Sequence, residues 1–137
     1  MAIWKNKSVY QEKPWGSIDH FGSPFGVGGK LIKIKKGQRT SLKYYKHKNQ
    51  VMYCLSGKVS VFAPEEKEFG DFISDEGNYF ELLPGDKILI QATNPYRLMS
   101  HEDSVLVEVL VGHVSDGLVM IEDDYGRTNR TKQEIRK

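Results

Sequence analysis

The chain has 137 residues and a formal net charge of +2, a length that allows one domain with a real core and excludes two ordinary ones. A hydrophobic fraction of 39% without low-complexity runs excludes wholesale disorder, and a single cysteine, Cys54, excludes an intramolecular disulfide and suits a reducing compartment. No apolar run is long enough to span a membrane, and "MAIWKNKSVYQEKPWG" has no stretch of signal-peptide length, so the expected setting is cytoplasmic.

Apolar residues alternate along most of the chain rather than recurring at helical spacing, which predicts strands. "GSPFGVGGK", residues 22–30, lacks the residues of a phosphate-binding loop and the spaced glycines of a dinucleotide turn, and is read as a turn before a strand. In "KLIKIKKG" Ile32 and Ile34 face one way and Lys33 and Lys35 the other. Residues two apart share a strand face, so Lys43, Tyr45 and His47 are expected together, with Tyr44 and Lys46 turned away. "VMYCLSGKVSVFA" predicts a hairpin about Ser56 and Gly57, with Cys54 a buried small hydrophobe. Residues 63–78 read as an acidic surface loop. "NYFELLPGDKILIQA" predicts a hairpin about Pro84, Gly85 and Asp86, and "NPYRLMSHEDSVLVEVLVG" another about His101, Glu102 and Asp103. Strands of this kind predict an antiparallel sandwich or barrel in one domain, a jelly roll first among them, over residues 1–127, with 128–137 a polar tail.

Charge is laid out in blocks. Lys30, Lys33, Lys35, Lys36, Arg39, Lys43, Lys46 and Lys48 crowd one segment, and Glu65, Glu66, Glu68, Asp71, Asp75 and Glu76 the next. Two readings stand: solvated faces, or an anion-binding mouth.

Between Gly37 and Gly57, "SLKYYKHKNQVMYCLSG" has the frame of the first cupin motif, and it resembles "SLQxHxHRxEHW" of the cupin domain of type II mannose-6-phosphate isomerases. "QATNPYRL" resembles that family's "PxGxxHRL", "KPWGS" its opening segment and "IEDDYGR", residues 121–127, its closing signature. The resemblance implies an all-β cupin-type double-stranded β-helix, a jelly-roll barrel. It puts Lys43 at the family's Gln, Tyr45 and His47 at its two histidines, Lys48 at its Arg, Gln50 at its Glu, and Tyr96 at the later His, followed by the matching Arg97 and Leu98. It also implies that Arg127 belongs to the active site.

The replaced positions are poor metal ligands, because a protonated lysine has no lone pair to give, tyrosine ionises only near pH ~10, and an amide is a feeble substitute for a carboxylate. No metal and no other cofactor is expected, and His47, His101, His113 and Glu108 lack the spacing of a shifted site. A pocket of cations, phenols and imidazole suits an anionic, hydroxyl-rich guest, a sugar phosphate or nucleotide sugar. If it is an enzyme, the expected reaction is aldose–ketose isomerisation without a metal. Lys43 would then be the electrophile, His47 the base and Arg127 the phosphate grip, with Tyr45, Gln50, Tyr96 and Arg97 binding substrate. The alternatives are a non-catalytic carbohydrate- or anion-binding or regulatory module and, ranked lower, a single-stranded nucleic-acid binder using Tyr44 and Tyr45 among the basic residues. No membrane partner is expected. Sheet edges make a homodimer the expected assembly.

Overall fold

Among the described residues, alternation of side chains along the sequence is realised as eleven β-strands and no helix. A computed structural model describes residues 3–68, 71–112 and 117–124. His113, the 125–127 end of the closing signature with Arg127, and the 128–137 tail lie outside the described residues. The strands are β1 (Val9–Lys13), β2 (Gly16–His20), β3 (Val27–Ile34), β4 (Leu42–Tyr45), β5 (Lys48–Ser56), β6 (Val59–Glu68), β7 (Asp71–Leu82), β8 (Lys87–Ile90), β9 (Arg97–Ser100), β10 (Ser104–Gly112) and β11 (Leu118–Glu122).

Six of them form one antiparallel sheet in the order β1-β2-β3-β10-β5-β8. Opposite it lie β7-β6-β9 and the pair β11-β4, joined edge to edge where Lys43 bridges Tyr96 and Arg39 bridges Met99. The two layers enclose one core in which Ile32, Met52, Val59, Val61, Leu98 and Leu106 are buried. This is the all-β jelly-roll arrangement that the alternation predicts, in one domain. No helix among the described residues is long and apolar enough to cross a membrane.

The three expected hairpins are a correction. β5 pairs with β10 and β8, whereas β6 pairs with β7 and β9. The reversal at Ser56 and Gly57 therefore carries the chain from one sheet to the other. The same holds at Pro84–Asp86, between β7 and β8, and at His101–Asp103, between β9 and β10. Turn residues report that the chain reverses; which sheet it re-enters depends on partners far away in sequence. The acidic segment 63–78 is likewise not a loop, since β6 and β7 pair along it, with register shifts beyond Pro64 and Glu66. Glu65, Glu66 and residues 76–81 are exposed, so these stretches carry no alternation of buried and exposed positions to read.

Gly37 (φ 78°) and Gly57 (φ 91°), the two ends of the first motif, both occupy the left-handed region. They differ in their surroundings. A Cβ on Gly37 would meet nothing within 4 Å, whereas one on Gly57 would lie 2.1 Å from Ser104 Oγ and 2.6 Å from the Asp103 carbonyl oxygen. Ser104 Oγ also accepts the Lys58 N–H at 3.0 Å, which ties the β5–β6 corner to the start of β10. Gly57→Ala is expected to destabilise by about 2–3 kcal/mol, and Gly37→Ala by about 1 kcal/mol, the conformational cost alone. Urea unfolding of both variants measures the difference.

Candidate functional site

Three even-numbered positions on adjacent strands project polar groups into an otherwise apolar interior. Lys30 shares the face of Ile32 and Ile34 on β3, Glu108 lies between Leu106 and Leu110 on β10, and Gln50 is two residues before Met52 on β5. Registry makes them neighbours, because Glu108 stands opposite Lys30 and Leu110 opposite Gln50. Glu108 is 1% exposed, and its Oε2 lies 3.7 Å from Lys30 Nζ. That distance is an ion pair and not a hydrogen bond, and Glu108 Oε2 has no hydrogen-bond partner among the described residues. Lys30 Nζ donates instead to Tyr45 Oη at 2.8 Å. Burial on its own would push the Lys30 ammonium down, but the Glu108 charge and the Tyr45 hydroxyl outweigh it, and the net shift is upward. Lys30 is therefore a charged residue inside the barrel.

From Glu108 a second chain of hydrogen bonds runs toward the surface. Gln50 Nε2 donates to Glu108 Oε1 at 3.0 Å and to Tyr96 Oη at 2.7 Å. Burial, reinforced by the Glu108 charge, holds the Tyr96 phenol well above its ordinary range, so it is a neutral hydroxyl at physiological pH. Its lone pair takes the Gln50 proton, and its own O–H proton finds no acceptor among the described residues. Tyr96 and Gln50 form the floor of a groove of 620 Å³, walled by Asn49, Gln91, Asn94 and Phe80 together with aliphatic residues of β6 and β8. That volume is in the range of small-molecule sites. The interior behind them is nearly filled, because the cavity bounded by Trp15, Lys30, Lys43, Tyr96 and Glu108 holds only 20 Å³, about the room of one water.

The residues singled out in the sequence thus separate into groups. Gln50 and Tyr96 meet in the interior, and Tyr45 is linked to them through Lys30 and Glu108. Lys43 joins them through its side chain, with Nζ 5.0 Å from the Tyr96 ring centre. His47 does not share their face, because β4 ends at Tyr45 and residues 46–47 form an exposed bend before β5. The strand period that would have carried His47 inward stops two residues too early. Arg97 points to the opposite side of its strand from Tyr96 and is 2% exposed. Its guanidinium donates to the Thr40 carbonyl at 2.8 Å and to Glu122 Oε1 at 3.2 Å, and lies 3.7 Å from Asp124. Arg39 makes two hydrogen bonds to Asp124, at 2.5 and 2.7 Å. Acidic residues of the closing signature do hold arginines, and among the described residues these are Arg97 and Arg39.

The basic block is neither one solvated face nor one mouth. Lys30 and Lys43 enter the barrel, Arg39 joins Asp124, and Lys33, Lys35, Lys36 and Lys46 are exposed. Tyr45, 7% exposed and bonded to Lys30, offers no open ring for a base to stack on. Lys30 and Glu108 were the least visible members of the site. The parity that puts Ile32 and Ile34 inward applies equally to Lys30, and Glu108 is the lone charge in "SVLVEVLVG".

A divalent metal, which cupin barrels of the resembled kind hold, does not suit this donor set. Tyr45 Oη is engaged by an ammonium, Gln50 turns its N–H groups to both neighbours, and the Tyr96 phenol keeps its proton. Among the described residues no three His, Cys, Asp or Glu side chains converge. Lys30 supplies the positive charge beside Glu108.

The turn between Gln91 and Asn94, two residues that line the groove, is strained. Thr93 has φ 72° and stands at the glycine of the "PxGxxHRL" pattern; its N–H donates to the Tyr45 carbonyl at 2.7 Å, which fixes the turn. A β-branched residue there is an outlier.

No family model and no curated protein matches the chain. Among solved structures, an RmlC-like cupin from Shewanella frigidimarina NCIMB 400 is similar over 79% of this chain and 86% of that one, with a TM-score of 0.63 and 15% identity. KdgF from Halomonas sp. is similar over 80% of this chain and 96% of that one, with a TM-score of 0.60 and 16% identity. The capsular polysaccharide assembling protein CapF from Staphylococcus aureus is similar over 87% of this chain but 33% of its own length, with a TM-score of 0.69 and 14% identity. At these identities the likeness shows the fold, and the fold is that of the cupins.

Two predictions follow from the interior. Lys30→Met leaves a buried carboxylate unpaired and is expected to cost about 3–5 kcal/mol, most of it recovered by adding Glu108→Gln, which keeps an acceptor for Gln50. Because the folded-state pKa of Lys30 is raised, its contribution is full below the unfolded value near 10.5 and is lost as pH rises through the folded value, so the double variant has a flatter loss of stability above pH 10.5. Denaturant midpoints measured from neutral to alkaline pH test both statements. Thr93→Gly is expected to raise stability by about 1 kcal/mol by relieving the backbone, read as a higher unfolding midpoint.

Proposed function

We propose that this chain is a carbohydrate-binding cupin whose ligand, a sugar phosphate or nucleotide sugar, enters the groove at the barrel mouth and accepts a hydrogen bond from Tyr96. The observation that carries this reading is the Tyr96 phenol on the groove floor, kept neutral and already occupied as an acceptor by Gln50. Such a hydroxyl has a proton to give, which suits an acceptor atom, a sugar hydroxyl or carbonyl oxygen. The walls add what a sugar needs, with the amides of Asn49, Gln91 and Asn94 for hydroxyl groups and the Phe80 ring for a pyranose face. CapF, described as a capsular polysaccharide assembling protein, lends this carbohydrate reading support through its similar fold. No charged residue lines the groove among the described residues. Recognition of phosphate is therefore assigned to Arg127, as the resemblance to type II mannose-6-phosphate isomerases implies.

A second reading, metal-independent isomerisation of the mannose-6-phosphate type, is favoured by the same proton. A neutral donor aimed at a carbonyl oxygen can stabilise an enediolate, and removing such a donor costs about a hundredfold in rate. The reaction also needs a base within reach of the adjacent C–H. His47 on its exposed bend would have to move, and Glu108 lies behind Gln50. Binding without turnover is therefore the principal reading.

The test is calorimetric titration with mannose 6-phosphate, mannose, a nucleoside-diphosphate sugar and inorganic phosphate, run beside a coupled isomerase assay with chelator present. The expected result is binding of a phosphorylated sugar that is weakened about tenfold in Tyr96→Phe, the worth of one hydrogen bond. Arg127→Ala is expected to weaken the phosphorylated ligand and leave the free sugar unchanged. Turnover in chelator would promote the isomerase reading. Failure of every sugar to bind, or full affinity in Tyr96→Phe, would remove the groove as the site.

A further inference from the structure

The six-stranded sheet turns one face to the core, and its other face is too apolar to be left to water. Val105, Val107 and Val109 of β10, Val51 and Tyr53 of β5, Leu31 of β3 and Leu89 of β8 all point outward, opposite to buried Leu106, Met52, Ile32 and Ile90. Tyr53 is 45% exposed and Leu89 70%. With strands about 4.8 Å apart and residues about 3.3 Å apart, six strands paired over eight residues at the centre make a face of roughly 24 by 26 Å. This is the scale of the ~800 Å² that each partner of a standard interface buries.

Its layout identifies the partner. The register places Asp19, Leu31, Val107, Tyr53 and Lys87 in one row across β2, β3, β10, β5 and β8. Val107 is in the middle, the acid lies two strands to one side and the lysine two strands to the other. Neither Asp19 nor Lys87 makes an ion pair with another described residue. We infer that this face packs against the same face of a second copy, about a two-fold axis running along β10 at Val107. That operation sets Val107 on its own copy, Leu31 on Tyr53, and Asp19 on Lys87, with each ion pair occurring twice. The next row obeys the same symmetry. Phe21 covers Gly29, where a Cβ would lie 2.3 Å from the ring, and Val109, Val51 and Leu89 complete the row. Phe21 then meets Leu89, and Val109 meets its own copy. In the row on the other side of Val107, Lys33 meets uncharged Ser56 across Val105. A two-fold axis across the strands would instead oppose Asp19 to Asp19 and Lys87 to Lys87, and like charges facing each other disfavour it. Sheets packed face to face keep their strands roughly aligned, as the chosen axis requires. The homodimer is thus built on a sheet face, and not on an edge strand.

Sedimentation of the full chain over a wide concentration range tests the assignment. A dimer is expected, with Val107→Lys raising its dissociation constant at least a hundredfold. Asp19→Lys and Lys87→Asp should each weaken it about tenfold, and the double swap Asp19→Lys/Lys87→Asp should restore it to within about threefold. Circular dichroism checks the fold of Val107→Lys; should that variant fail to fold, the three charge variants, whose sites lie at the rim, decide alone. A monomer at all concentrations overturns the inference and leaves the face to a different protein. A dimer indifferent to Val107→Lys and to the charge variants overturns it in favour of an edge strand, and a double swap no tighter than the single variants overturns the chosen axis.

Discussion

A charged pair inside the barrel, Lys30 with Glu108, is the constraint on which the rest of the interior turns. Two charges withdrawn from water are costly unless each is answered, and the loss is several kcal/mol when one partner is missing. Three polar side chains of the interior are arranged around that demand. Tyr45 accepts from the lysine, Gln50 donates to the carboxylate, and Tyr96 receives what Gln50 has left. The same carboxylate reinforces the burial that holds Tyr96 protonated, without a hydrogen bond to that hydroxyl.

Gln50 links the buried ion pair to the Tyr96 phenol, which lines the groove. The interior is close to full, with 20 Å³ left beside Lys30 and Glu108, and the larger space is the groove at the mouth. There the surface is uncharged among the described residues, with amides, an aromatic ring and the phenol. That combination fits the body of a sugar better than it fits a bare anion. The strained Thr93 turn, bonded to the Tyr45 backbone, links the rim of the groove to the buried cluster.

Around this interior the jelly roll acts as a frame held at two places. At one end Gly57 lets the chain turn tightly past Ser104 from one sheet into the other. At the other, Arg97 and Arg39 fasten residues 122–124 to the barrel wall. Arg97 shows how a motif residue can serve the frame: its guanidinium is spent on Thr40 and Glu122, and it faces away from Tyr96 one residue before it.

What the sequence by itself determined is local. Alternation along β3, β5 and β10 gave strands and their inward faces, and the parity of Ile32 and Leu106 already contains Lys30 and Glu108. The spacing of Tyr45, Gln50 and Tyr96 against a known strand pattern marked residues that are linked through Lys30 and Glu108. Tertiary structure decided what depends on distant partners. Each of the three expected hairpins is a crossing between sheets, because a turn residue bends the chain without choosing its neighbour. His47 falls outside because β4 ends at Tyr45, a limit set by its pairing with β11 and Tyr96 rather than by its own residues. The pairing of Lys30 with Glu108 joins positions on strands far apart in the chain, and only the β3–β10 register brings two lone charges into one interior.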